Sequence, residues 1–340
     1  MKNVSNGDLP SISVIVPSYN NRRFIAQAIE SLLQQTYPRH LIEIIAVDDG
    51  STDDTPDVLK EFGDEIVCVY QDHRGIAATR NAGFALAGGA IISFLDSDDV
   101  WYKDRLEKVS QKFLEIPHAA MVYHPVELID SSGATISRTF HQQYGYRQQG
   151  LSGRLTSEIA SGAIFSGGSA FSCKREVLGN VFPIPEDIQR GADYYMNVIA
   201  SCHGSIEYIP EVLGKYRLHD HNLTMSQGPV DIDLLIGMNK DFAHTRQRVM
   251  EKLSEIAACS PNLAMIKRMR AKEMIFCDVL TGRRFQGIKR IPELFQDNPN
   301  LNELLRGIIV SAMALFFPVF LFPQIIEGHK FLKRIKMVPF

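Results

Sequence analysis

Residues 90–99 read AIISFLDSDD: a short, uncharged, largely apolar run from Ala90 to Leu95 that stops abruptly at Asp96, Ser97, Asp98 and Asp99. A run of that length and composition packs as a buried strand, which puts the acidic loop at the strand's carboxyl end. Upstream the same unit recurs. Ile12 to Val16 is an apolar run ending in the loop Pro17-Ser18-Tyr19-Asn20, and Phe24 to Leu33 then shows apolar residues at helical spacing before the turn at Tyr37-Pro38. Ile42 to Val47 leads into the polar loop Asp48 to Thr55, followed by a helical pattern at Val58, Leu59 and Phe62, a strand at Ile66 to Tyr70 and a helix over Gly75 to Ala87. Strands alternating with helices specify an α/β fold with a mostly parallel, Rossmann-like sheet flanked by helices. Such sheets form their ligand crevice at the carboxyl ends of the strands, so the loops after Val16, Val47 and Leu95 are expected to converge there.

Composition narrows the classes. The chain has 340 residues, 45% of them hydrophobic, enough for a packed core, and its net charge of -3 excludes the basic excess that a nucleic-acid surface needs. Its five cysteines, Cys68, Cys173, Cys202, Cys259 and Cys277, are scattered without a C-x-x-C pair, so they read as reduced thiols and not as a disulfide framework or zinc site. The first 20 residues contain only a five-residue apolar run before Pro17 and no cleavage-like site, so the expectation is a catalytic part in the cytoplasm.

Crowded carboxylates at one strand end repel each other unless a cation neutralises them, and oxygen ligands of this type suit Mg2+ or Mn2+ bridging a diphosphate. An isolated D-x-D is more often a solvated acidic turn; its place after a buried strand favours the metal reading. Asp48 and Asp49 stand in ordinary turn chemistry, yet a carboxylate there can also accept from a base edge or ribose hydroxyl, with Tyr19 positioned to stack or simply to pack. Arg80, on the helix after Gly75, is either a solvated surface residue or a cation for the diphosphate. Asp193 opens an apolar helical stretch, which fits both an N-cap and a base. His219, in YRLHDHNLT, reads as a third metal ligand beside Asp98 and Asp96. The Gly167-Gly168-Ser169 stretch matches neither phosphate-loop nor dinucleotide fingerprints, which removes ATPase and dehydrogenase readings.

In order, VIVPSYN (Val14 to Asn20), VDDGSTDDT (Val47 to Thr55), RGIAATRNAG (Arg74 to Gly83) and FLDSDD (Phe94 to Asp99) resemble the family 2 glycosyltransferases of GT-A fold, over roughly Ile12 to Thr224. The resemblance implies an inverting transferase that uses a nucleotide-sugar donor, commonly a UDP-sugar, with Mn2+ or Mg2+. It implies that Pro17, Tyr19, Asn20, Asp48 and Asp49 surround the nucleoside, Arg80 approaches the diphosphate, and Asp96 and Ser97 contact ribose or metal. Asp98 is then the principal metal ligand, His219 faces the diphosphate, and Asp193 is the base, in an Ala192-Asp193 version of the family's acidic motif that lacks a preceding acidic residue.

The implied organisation is a GT-A catalytic domain over 1–225, a helical C-terminal extension over 226–306 and a tail over 307–340. Met121 to Leu128 is expected to be one strand, and Gly133 to Gly168 a surface loop that helps hold a saccharide or lipid-linked acceptor. The tail's GIIVSAMALFFPVFLFPQII, followed by four basic residues, favours peripheral contact with the cytoplasmic face of a membrane; Pro318 and Pro323 argue against a straight span, and a buried helix is the competing expectation. Rival functions are a sugar-nucleotide nucleotidyltransferase, which would need a Gly-rich basic loop after the first strand, and a catalytically silent nucleotide-binding scaffold.

Overall fold

A computed structural model of the chain describes residues 9–137, 167–220, 222 and 232–257. The first strand, β1 (Ile12–Ser18), is followed by α1 (Ile25–Leu33), β2 (Ile42–Asp48), α2 (Thr55–Lys60), β3 (Val67–Tyr70), α3 (Ile76–Leu86), β4 (Ile91–Phe94), β5 (Val100–Trp101) and α4 (Arg105–Glu115). Then come β6 (Ala119–Tyr123), β7 (Val126–Ile129), β8 (Thr135–Ser137), β9 (Phe171–Lys174), α5 (Arg175–Leu178), α6 (Ala192–Ala200), β10 (Ser205–Tyr208), β11 (Gly214–Arg217) and α7 (Ile232–Ala257).

Seven strands form the central sheet in the order β10-β6-β9-β4-β1-β2-β3. β1 runs parallel to β2 and β4, β2 to β3, and β6 to β10, whereas β9 lies antiparallel between β4 and β6. The sheet is therefore mixed but mostly parallel, as the alternation of strand and helix patterns requires. The central strands read as near-continuous apolar runs because both faces are covered. Alternate residues divide between them: Ile15, Ile45, Val47, Ile92 and Phe94 pack towards α3 and α6, while Val14, Val16, Ile44, Ala46, Ile91 and Leu95 pack towards α1 and α4.

Two expectations need correction. Met121 to Leu128 is not one strand: β6 belongs to the central sheet, and after His124 and Pro125 the chain enters β7 of a second sheet ordered β5-β11-β7-β8. Pro125 has no amide hydrogen to continue the first ladder, so the change of sheet falls where donation is lost. Nor is Gly168 on a surface loop, because Gly168, Ser169 and Ala170 are buried beneath the acidic turn. Residues 138–166, most of the expected extension and the whole 307–340 tail lie outside the described residues, so the expected acceptor loop and membrane contact fall there. The described part of the extension is α7, which packs Val249 and Leu253 against Ala192, Tyr195, Met196 and Ile199. Cys68, Cys173 and Cys202 are free thiols.

Candidate active site

β4 delivers Asp96 to Asp99 to the carboxyl edge of the sheet, and the small sheet delivers their partners. β11 pairs antiparallel with β5, so the chain leaving Arg217 passes directly over the acidic turn. The Asp98 carboxylate accepts from His219 Nε2 at 2.9 Å and from Asn222 Nδ2 at 3.3 Å. His219 is itself fixed, since its amide donates to Asn222 Oδ1 at 2.6 Å and its ring lies 5.0 Å from that of Phe24. Asp99 turns inward, where Oδ1 accepts the Arg217 amide at 2.9 Å. Arg217 Nε in turn donates to the Asp98 carbonyl at 2.8 Å, with its guanidinium 4.7 Å from the centre of the Phe24 ring. Burial, reinforced by the charges of Asp98 and Asp96, pushes the Asp99 carboxyl well above the usual carboxylate range.

Arg80 joins the remaining carboxylates. It is only 2% exposed, pairs through Nη1 with Asp193, and reaches Asp96 Oδ1 through Nη2 at 3.2 Å. The surface-residue alternative for Arg80 is thereby removed: α3 buries this face against the sheet, where Asp193 and Asp96 balance the guanidinium charge. Asp193 sits in the first turn of α6, and its side chain is 31% exposed and so open to solvent. Burial raises Asp96 to about 7; Arg80 opposes this, while Asp193 and Asp98 add to it. Gly168 permits the arrangement, because a Cβ there would fall 2.5 Å from Arg80 Nη2 and 2.8 Å from Asp96 Oδ1. Ser169 completes it by accepting the Asp96 amide on Oγ at 2.9 Å.

At the other end of the crevice, Pro17 is buried in β1, and Asn20 takes a positive φ of 49° while its side-chain oxygen accepts the Thr52 amide at 2.7 Å. Asp48 accepts the Ser51 amide at 3.0 Å. Asp49 is committed below the surface: it accepts Arg74 N at 2.9 Å and Gly75 N at 2.8 Å at the start of α3, as well as Gln71 Nε2 at 2.6 Å. Tyr19, 44% exposed, stacks on His73 with ring centroids 4.1 Å apart. Ser97 is buried and accepts from Asn21 Nδ2 at 2.7 Å. The three expected loops do converge, and Asp98 with His219, and Arg80 with Asp96 and Asp193, are brought together.

The expected metal trio is not. Asp96 pairs with Arg80 and Asp98 with His219, and among the described residues no group of three His, Cys, Asp or Glu side chains converges closely enough to hold a metal alone. His73, Gly168, Ser169, Arg217 and Asn222 are further site residues that sequence reasoning did not assign. The Gly167-Gly168-Ser169 stretch was the available signal for two of them, but it reads as a close backbone approach only once Arg80 is seen beside it.

Comparison with known proteins decides the family. The sequence model of the glycosyl transferase family 2 matches residues 13–182. This chain belongs to glycosyl transferase family 2.

An uncharacterized glycosyltransferase of Nostoc is 34% identical to this family 2 chain over 227 residues, 63% of this chain and 67% of the relative. TuaG of Bacillus subtilis, named for teichuronic acid biosynthesis, is 38% identical over 39% of this chain, a match that spans about half (53%) of TuaG. Among solved structures, S. aureus TarS 1-349 superposes with a TM-score of 0.59 at 17% identity, covering 85% of this chain and 81% of TarS 1-349. The mannosyltransferase PcManGT of Pyrobaculum calidifontis, in complex with GDP-Man and Mn2+, gives 0.54 at 18% identity, covering 92% and 83%. These structures establish the GT-A fold. The enzyme is a glycosyltransferase, and its family match ends before Asp193, so α6 and α7 lie beyond the matched segment.

The donor set of this family 2 enzyme fits a divalent cation held jointly with a substrate. Asp98 and His219 lie side by side, the cluster holds more carboxylate than Arg80 balances, and a cation of the Mg2+ type takes one or two protein carboxylates and completes its shell with phosphate oxygens and water.

Proposed function

We propose that this enzyme transfers a sugar from a UDP-sugar to an acceptor hydroxyl with inversion at the anomeric carbon. The observation that carries the reading is the pair of linked anchor points at one crevice: Asp98 with His219 at one, and Asp193 with Asp96 across buried Arg80 at the other. The first offers ligands for a cation and a diphosphate, the second a solvent-open carboxylate held in a fixed direction. TarS complexes with UDP and UDP-GlcNAc, and the PcManGT complex with GDP-Man and Mn2+, support a nucleotide-sugar donor and Mn2+ or Mg2+ dependence.

In this reading Tyr19 and Asp48 contact the nucleoside, with Pro17, Asn20 and Asp49 shaping the loops around it, and Asp96 and Ser97 lie towards the ribose. A bound Mn2+ or Mg2+ supplies positive charge to the departing diphosphate. Asp193 removes the acceptor proton as that oxygen bonds to the anomeric carbon. The sugar–phosphate bond breaks on the opposite side, its electron pair leaves with the nucleoside diphosphate, and the configuration inverts. Arg80 keeps Asp193 aimed while restraining Asp96. The likeness to TuaG, named for teichuronic acid biosynthesis, supports an acceptor in polysaccharide synthesis, saccharide or lipid-linked; work at the cytoplasmic face of a membrane rests on the sequence of the tail. Among the described residues no helix is long and apolar enough to cross a membrane; the proposed peripheral contact with lipid rests on the sequence of the 307–340 tail alone.

Calorimetric titration with UDP, with and without Mn2+, tests the donor assignment. The expected result is Mn2+-dependent binding that Asp98→Ala abolishes; undiminished binding by the variant would remove Asp98 from the site.

A further inference from the structure

We infer that α7, outside the segment matched by the family, positions the proposed base through its grip on the turn that starts α6. This rests on the reading of Asp193 as base. Asp193 follows Gly191, the α6 N-cap, whose φ of 78° is left-handed. A Cβ at Gly191 would meet Phe242 Cε1 at 3.2 Å and Thr245 Cγ2 at 3.4 Å, so the turn lies directly against α7. The residue before it is held twice. The Thr245 hydroxyl donates to the Arg190 carbonyl at 2.5 Å, and Arg190 Nε donates to Asp241 Oδ2 at 3.0 Å. On the far side of Asp193, Arg246 Nη1 donates to the Tyr194 hydroxyl at 2.9 Å, and its guanidinium lies 4.6 Å from the centre of that ring. Earlier in the same connection, Asp187 meets His244 Nε2 at 2.9 Å and Arg248 Nε at 2.9 Å.

Contacts from one face of α7 thus fall at positions 187, 190, 191 and 194, on both sides of Asp193, while Arg80 fixes the carboxylate itself from α3. Thr245 is fully buried, so its bond to Arg190 is shielded from water. No α7 residue among these contacts touches Asp96, Asp98 or the Tyr19 end of the crevice. The consequence is a specific signature. Loosening α7 misdirects the base without altering the donor pocket, and small misplacements of a reacting group cost large factors in rate.

The test uses the full chain, UDP for binding, and a panel of UDP-GlcNAc, UDP-glucose and UDP-galactose with Mn2+ for turnover. Thr245→Val and Asp241→Ala are expected to lower kcat about tenfold, a change of about 1.4 kcal/mol in barrier. KM for the donor and the UDP affinity should stay within about twofold. Thr245→Ser should restore turnover, and Gln247→Ala, at an exposed position on the opposite side of α7, should leave it unchanged. Should Thr245→Val not fold, Asp241→Ala and Asp241→Asn carry the same comparison at a partly exposed position. Unchanged kcat in the Thr245 and Asp241 variants, or kcat, KM and UDP affinity falling together, would overturn the inference. Asp193→Asn separates the two readings: it should abolish turnover and keep UDP affinity, and retained turnover would remove the base assignment and this inference with it.

Discussion

Asp96 is a carboxylate that the fold holds at a cost. Its folded pKa of about 7 lies above the ordinary 3.8, so the ionised form disfavours the native state. The penalty is complete above the folded value and disappears below the unfolded one. The thermal midpoint of the ligand-free chain is therefore expected to fall as pH rises from 5 to 8, and Asp96→Asn should flatten that slope; an equal slope in both proteins would contradict the account. Gly168 offers a second residue-scale test. A methyl at this position collides with the ends of the Arg80 and Asp96 side chains, not with backbone, so Gly168→Ala should still fold, with a lowered thermal midpoint because Arg80 is buried. Turnover should drop about tenfold or more because the Arg80–Asp96 contact is displaced. At this scale the sequence displayed the acidic residues by their clustering, but not their pairing. Arg80 and Asp193 are 113 positions apart, and nothing in either local pattern announces the other.

At the scale of elements, α4 carries a buried cation that has no carboxylate. Arg105 Nε donates to His124 Nε2 at 2.9 Å, and Nη2 to Phe171 O at 3.2 Å and Ser172 Oγ at 3.1 Å, while the guanidinium lies 3.4 Å from the Trp101 ring centre. These contacts pin α4 to β5, to β9 and to His124 just after β6, and burial pulls the arginine's pKa well down. Arg105→Ala strands several buried polar partners and is expected to cost roughly 3 kcal/mol, read from urea unfolding. Arg105→Lys should recover only part of it, because an ammonium cannot reproduce the planar fork and stack. Elements with strong local signals, β1 to β4 and α1 to α3, were legible in the sequence because apolar period and turn residues agree there. The division of Met121 to Leu128 was not, since the apolar pattern runs through His124-Pro125 and only tertiary pairing assigns β6 and β7 to different sheets. Antiparallel β9 was equally hidden: four residues between β4 and β6 carry no directional mark.

For the whole molecule, the account joins a family 2 catalytic core to a helix that steadies its proposed base. The central sheet gathers three loops at one edge, the small sheet adds Arg217, His219 and Asn222, and α7 braces Asp193 from behind. The donor end was the more legible part, because its motifs lie in contiguous loops. The base end was less so, because it depends on α3, α6 and α7 meeting across long separations. The most direct test of the central claim follows the anomeric proton of the sugar released or transferred from α-linked UDP-sugars by NMR, for the full chain with Mn2+. The account predicts that the first-formed product has the β configuration and that Asp193→Asn forms none; an α product, or equal turnover by the variant, would contradict it.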